Sequence, residues 1–200
     1  MSMVIGFTTG QFAVISGDTR ATYTSNGEVK HDDAFHKIFR VNNNILVGFT
    51  GNGDGIRVLK DYSFLKRPDD EYADKYASRI FDELGGHRID KPFNMMIIGR
   101  TVNKTGWTTI FNTDDSQPQV NKEFINQAMV FPFPPADGRV DANYLVAEYT
   151  PSLANILHTS VSVEQAITRV AKFQEEKIKS ISNIVQSVNS LPETYSLKFE

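Results

Sequence analysis

The order of secondary-structure signals along the 200 residues predicts an α+β fold in which helices lie on the faces of antiparallel sheet. Three observations carry this expectation. Short β-branched and aromatic runs are joined by hairpin-type punctuation, two blocks of helical periodicity are each followed by further strand signals, and no parallel strand–helix–strand alternation runs through the chain. No repeat, low-complexity tract or linker interrupts it, so residues 1–200 read as one domain.

Residues 3–7 and 12–16 are apolar-rich strands separated by Thr8-Thr9-Gly10-Gln11, a hairpin. Thr24-Ser25-Asn26-Gly27 is a turn or surface loop. Residues 35–41 alternate, with Phe35, Lys37, Phe39 and Val41 on one face, and Asn42-Asn43-Asn44 turns the chain into the buried strand 45–49. The first fifty residues thus read as four strands. Helices are expected over 54–65, through Ile56, Leu59 and Ser63, and over 70–84, through Tyr72, Tyr76, Ile80 and Leu84, with Gly85-Gly86 as the stop. Strands 93–102 and 107–112 flank Asn103-Lys104-Thr105-Gly106, a second hairpin signature. The proline-rich stretch 113–143 predicts loops with a strand near 128–131, and Pro151 can open a short helix to 158. Ser162-Val163-Glu164-Gln165 is a capping box that starts a long helix over 163–184, buried through Ala166, Val170, Phe173 and Ile178. Residues 194–199 close the chain as a strand.

Composition removes several function classes. Hydrophobic residues at 40% and charged residues at 22% describe a soluble globular chain. A net charge of -3 without a basic block gives nucleic acid no electrostatic footprint. The absence of cysteine excludes disulfides, thiolate zinc sites and thiol catalysis. No secretion signal or 18-residue apolar run is visible, so a cytoplasmic protein without membrane segments is expected. Gly51-Asn52-Gly53-Asp54-Gly55 lacks the lysine and hydroxyl of a phosphate loop, and on a strand His31 and His36 point to opposite faces, so neither cofactor nor metal is expected.

The chemistry converges on the N-terminus. Removal of Met1 leaves Ser2 with a hydroxyl and a free α-amine of pKa about 7.7–8.0, a nucleophile with its own base. Asp18 follows Gly17 at the end of the second strand, where the hairpin returns it towards the chain start. Lys37 lies between Phe35 and Phe39 on a half-buried face and needs a counter-charge, for which Asp18 is the nearest candidate in topology. A lysine beside the terminal amine keeps that amine neutral by like-charge repulsion. Gly48, inside the apolar fourth strand, marks a close backbone approach, and an N–H at or near it can face a developing oxyanion.

Ser2, Gly17-Asp18-Thr19-Arg20-Ala21-Thr22, His36-Lys37-Ile38 and Val47-Gly48-Phe49-Thr50-Gly51 resemble the opening of proteasome β-subunits and the related bacterial proteasome-like peptidases, which are N-terminal-nucleophile hydrolases. The resemblance is good over roughly residues 2 to 60 and continues more weakly in order of elements. It implies a four-layer αββα sandwich of two antiparallel sheets flanked by helices. It also implies Ser2 as nucleophile, Asp18 and Lys37 as the acidic residue and lysine of the site, Gly48 as the oxyanion glycine, and Thr22 as a residue whose backbone pairs with an extended peptide. A peptide or protein substrate, a closed homo-oligomeric ring and an ATPase unfoldase partner follow from the same resemblance.

The sequence departs from the pattern in three places. Serine replaces threonine as nucleophile, and the stretch from Asp18 to Lys37 is longer than in the bacterial peptidases. The small segments that supply supporting serines are not recognisable; Thr150 and Ser152, and after the last long helix Ser180, Ser182 and Asn183, are the nearest residues. Two further readings stay open beside the peptidase, a non-catalytic ring or capsule subunit and a small-molecule amidase on the same fold.

Overall fold

A computed structural model describes residues 3–51, 70–85, 93–112, 119–120, 128–135 and 138–199. Ser2, the expected helix 54–65 and Gly86 lie outside the described residues. The strands are β1 (Val4–Thr8), β2 (Phe12–Asp18), β3 (Ala21–Ser25), β4 (Glu28–Asp32), β5 (Ile38–Arg40), β6 (Ile45–Gly51), β7 (Phe93–Arg100), β8 (Gly106–Asn112), β9 (Gln119–Val120), β10 (Met129–Phe133) and β11 (Pro192–Lys198). The helices are α1 (Ala73–Gly85), α2 (Ala142–Thr159) and α3 (Val163–Ser182).

Two antiparallel sheets stack face to face, one in the order β10-β1-β2-β11 and the other β5-β6-β7-β8-β9. Strand alternation sorts the side chains into layers. Val4, Ile15, Ile38, Leu46, Met96 and Ile98 fill the space between the sheets. Met3, Ile5, Phe7, Phe12 and Val14 point the other way, onto Tyr149 and Leu153 of α2 and Val170 and Ile178 of α3. Val47, Phe49, Met95 and Ile97 cover the outer face of the second sheet with Ala73, Tyr76 and Ile80 of α1. Helices, sheet, sheet and helix make the four-layer αββα sandwich.

The structure corrects four local expectations. The loop around Asn26-Gly27 is a hairpin of its own, β3–β4, giving six strands in the first 51 residues rather than four. Asn26 and Gly27 take φ of 54° and 80°, the left-handed pair that a two-residue turn between twisted strands requires. Strand β5 is only Ile38–Arg40, and the Lys37 side chain just ahead of it meets Asp18 rather than joining Phe35 and Phe39 against the outer cluster. Helix α2 begins nine residues before Pro151, at the Asp141 cap whose side chain accepts from the Tyr144 N–H, and carries the proline within it. In α3 the buried row is Ala166, Val170, Gln174, Ile178 and Ile181, with Gln174 rather than Phe173 at its centre. Gln174 Oε1 accepts from the Ser16 hydroxyl of β2 at 2.8 Å and pins the helix to the strand that carries Asp18.

Candidate active site

The site begins where β1 starts and β2 ends. Their antiparallel register pairs Val4 with Gly17, so Met3 and Asp18 are neighbours across the hairpin. The Asp18 N–H donates to Met3 O at 3.1 Å, and the Met3 N–H donates to Asp18 Oδ1 at 2.7 Å. Asp18 Oδ2 accepts from the Arg20 N–H at 3.0 Å and from Lys37 Nζ at 2.7 Å. Both charged side chains are withdrawn from solvent, Asp18 to 0% and Lys37 to 1% exposure. Burial pushes the Lys37 ammonium below its ordinary value, and the Asp18 carboxylate opposes that shift. A pair so enclosed persists because each carboxylate oxygen has a donor and the ammonium has its counter-charge.

Two backbone bonds hold Lys37 in place. The Phe35 N–H reaches Thr19 O at 2.9 Å, and the Phe49 N–H of β6 reaches Lys37 O at 2.8 Å. The lysine thus crosses from one sheet to the other. Its sequence neighbour Ile38 pairs with Gly48, which brings that glycine within one ladder step of Lys37.

Gly48 has a packing reason for its identity. A Cβ there would stand 2.7 Å from Ile15 Cδ1 and 2.8 Å from Val4 Cγ1, inside the layer between the sheets. Gly48→Ala is expected to cost about 1–3 kcal/mol by overpacking, read as a lower urea midpoint at unchanged slope. At the exposed end of the same strand Gly51 has φ 112°, a conformation that side chains rarely adopt. Thr22 stands on β3 with its hydroxyl 3.1 Å from His31 Nδ1 on β4. His31 therefore faces Thr22 while His36 faces Glu193, and the two histidines do not converge.

The segment after α3 supplies what the sequence pattern did not mark. Asn189 Oδ1 accepts the Thr19 N–H at 3.1 Å, its Nδ2 donates to Thr19 Oγ1 at 2.9 Å, and Thr19 Oγ1 donates to Leu191 O at 3.2 Å. Arg20 grips Asp33 through Nε at 2.6 Å and Nη2 at 2.9 Å, while Nη1 donates to Gln186 O at 2.8 Å. The guanidinium holds the Asp33 carboxyl below its ordinary value. That contribution is complete above the unfolded carboxylate range and is lost as pH falls through the depressed value. Between these anchors Ser187 is buried, with no partner for its hydroxyl among the described residues. Thr150 instead donates to Val146 O within α2, Ser182 donates to Lys179 O, and Asn183 caps α3. No hydrogen bond among the described residues joins Thr150, Ser152, Ser180, Ser182 or Asn183 to Asp18 or Lys37. Asn189→Ala, which strips a buried N–H of its acceptor, is expected to cost about 1–3 kcal/mol in urea unfolding.

Among the described residues no group of three or more His, Asp or Glu side chains is placed to hold a metal ion, and no helix is long and apolar enough to cross a membrane. The family model described as "Proteasome subunit" matches residues 2–79. A comparison with curated protein sequences finds no match. Among solved structures the chain is similar to eukaryotic HslV from Trypanosoma brucei, with a TM-score of 0.59 at 11% identity over 98% of this chain and 99% of that one. It is also similar to Anbu (ancestral beta-subunit) from Yersinia bercovieri, with a TM-score of 0.61 at 12% identity over 98% of this chain and 81% of that one. The layers, the sheet order and these likenesses together give the chain a proteasome β-subunit-like fold.

Proposed function

We propose that the chain is an N-terminal-nucleophile amide hydrolase, a peptidase subunit that uses Ser2 once Met1 is removed. The observation that carries this reading is the buried Asp18–Lys37 pair, tied through the Met3 N–H to the residue next to Ser2. The Ser2 hydroxyl attacks the scissile carbonyl, and its own α-amine takes the hydroxyl proton. Lys37 keeps that amine neutral and eases loss of the proton, while Asp18 holds Lys37 in position. A backbone N–H at or near Gly48, on the stretch of β6 that ends at Gly51, meets the oxyanion. Collapse breaks the C–N bond, the proton passes to the departing amine, and an ester remains on Ser2. Water then adds to the ester, gives a proton to the α-amine, and the acid leaves as Ser2 Oγ is reprotonated. Thr22 of β3 offers backbone groups to an extended peptide. The resemblance adds a peptide or protein substrate, a homo-oligomeric ring and an ATPase unfoldase as partners.

The second reading, a non-catalytic ring or capsule subunit, is favoured by one observation. Among the described residues, none of the hydroxyls of Thr150, Ser152, Ser180 and Ser182 hydrogen-bonds to the ion pair. Intact-mass measurement of protein from its native host, treated with a peptide β-lactone or vinyl sulfone, separates the two. The peptidase gives a chain without Met1 that gains one probe mass on Ser2. A chain that retains Met1, or takes no probe, rules out the peptidase.

A further inference from the structure

His36 and Lys37 are consecutive, and each reaches across to the first sheet. Lys37 Nζ meets Asp18 of β2, and His36 Nδ1 lies 2.6 Å from Glu193 Oε1 of β11. A carboxylate can only accept, so His36 Nδ1 carries the proton of that bond. Both acids ride the same pair of strands, because Glu193 opposes Gly17 and Pro192 opposes Asp18 in the β2–β11 ladder. Residues 36 and 37 immediately precede β5, and their side chains pin one short piece of backbone twice to the first sheet, at β11 through the imidazole and at β2 through the lysine. The His36–Glu193 bond resists any turn of that backbone that would re-aim the Lys37 side chain.

Stability is a poor explanation for this second pin. The His36 side chain is 60% exposed, and an exposed ion pair contributes little. Glu193 Oε2 is buried without a hydrogen-bond partner among the described residues, an arrangement that costs free energy. A pair that is weak on one side and costly on the other calls for a positional role.

We propose that His36 and Glu193 are positioning residues that fix the direction of Lys37 towards Asp18. The catalytic half of this inference rests on the proposed role of Lys37 beside Ser2; the structural half does not. The test follows the Lys37 ammonium directly by ¹⁵N NMR of the full-length protein, together with acylation of Ser2 by a peptide β-lactone. Glu193→Gln and His36→Gln are each expected to speed exchange of the Lys37 Nζ protons about tenfold, in the range of coupling between contacting charged groups. The maximal acylation rate is expected to fall about tenfold with little change in probe affinity, as for a misplaced catalytic group. The double variant should behave like either single one. Glu148→Gln, which breaks the Lys177 pair between α2 and α3, serves as a surface-pair control and should move neither readout.

Unchanged Lys37 exchange in both single variants, a drop in thermal midpoint alone, or effects that add in the double variant would overturn the proposal. A wild-type chain that takes no probe while Lys37 still responds sinks the peptidase reading and leaves the positioning role standing. Variants with normal acylation and unchanged Lys37 exchange sink the positioning role and leave the peptidase, and normal acylation with faster exchange sinks its catalytic half alone.

Discussion

Lys37→Met is expected to destabilise the protein by about 3–5 kcal/mol and to abolish acylation of Ser2, because it removes the ammonium that contacts the Asp18 carboxylate in a site withdrawn from solvent. The Met3 and Arg20 N–H donors stay in place, but two neutral donors do not replace an ammonium. Asp18→Asn is expected to cost less. The remaining lysine, already pushed down by burial, can lose its proton once the carboxylate that pulls it up is gone. The sign then decides the pH dependence. A lysine that titrates lower in the folded chain stabilises it above its ordinary value of 10.5, and that stabilisation is lost as pH falls through the folded value. Asp18→Asn should therefore gain stability from neutral towards alkaline pH. The double variant Lys37→Met/Asp18→Asn should recover most of the loss, since the amide oxygen introduced at position 18 still accepts from the Met3 N–H. Urea unfolding of the four chains forms the cycle. A Lys37→Met chain within about 1 kcal/mol of wild type would mean that the buried pair is not what holds β1, β2 and β5 together.

Ser2→Ala should reduce acylation by roughly 10⁴-fold or more, as removal of a nucleophile does when residues act as a unit. Ser2→Thr should retain the reaction, since hydroxyl and amine keep their relation through the same bonds. The same loss as in Ser2→Ala is expected without any change of side chain if one residue is kept ahead of Ser2, because an amide nitrogen is no base. Folding should be untouched in all three, with unfolding midpoints equal to the parent. If Ser2→Ala takes the probe as fast as the parent, the nucleophile lies elsewhere and the peptidase reading is lost.

The fold was legible where residue type and period agree. Apolar runs at 3–7, 12–16 and 45–49 became the central strands, and the capping box at Ser162 became a real cap, its side chain accepting the Gln165 N–H. Lys37 and Asp18 stood out because a charge between apolar neighbours demands a partner. The β3–β4 hairpin did not, since β4 reads Glu28-Val29-Lys30-His31-Asp32 and is exposed throughout, leaving no buried face to impose a period of two. Helix α2 was hidden by Pro151, whose cost is absorbed by the burial of Leu145, Tyr149, Leu153 and Ile156. Asn189 lies 170 positions from the Thr19 that it serves, in a polar segment with no pattern of its own. Only three-dimensional proximity reveals such a residue.

The antiparallel ladder between β2 and β11 also has a practical side. Pro192 sits opposite Asp18, whereas Lys198 sits opposite Phe12, so β11 runs away from the ion pair. Six residue rises put Lys198 about 20 Å from the Asp18 end of the sheet. A fluorophore attached near Lys198 is thus held clear of the Asp18–Lys37 pair, whereas under the proposed mechanism an attachment ahead of Ser2 would remove the free amine. Purification, immobilisation and single-molecule work should be built from that distal corner.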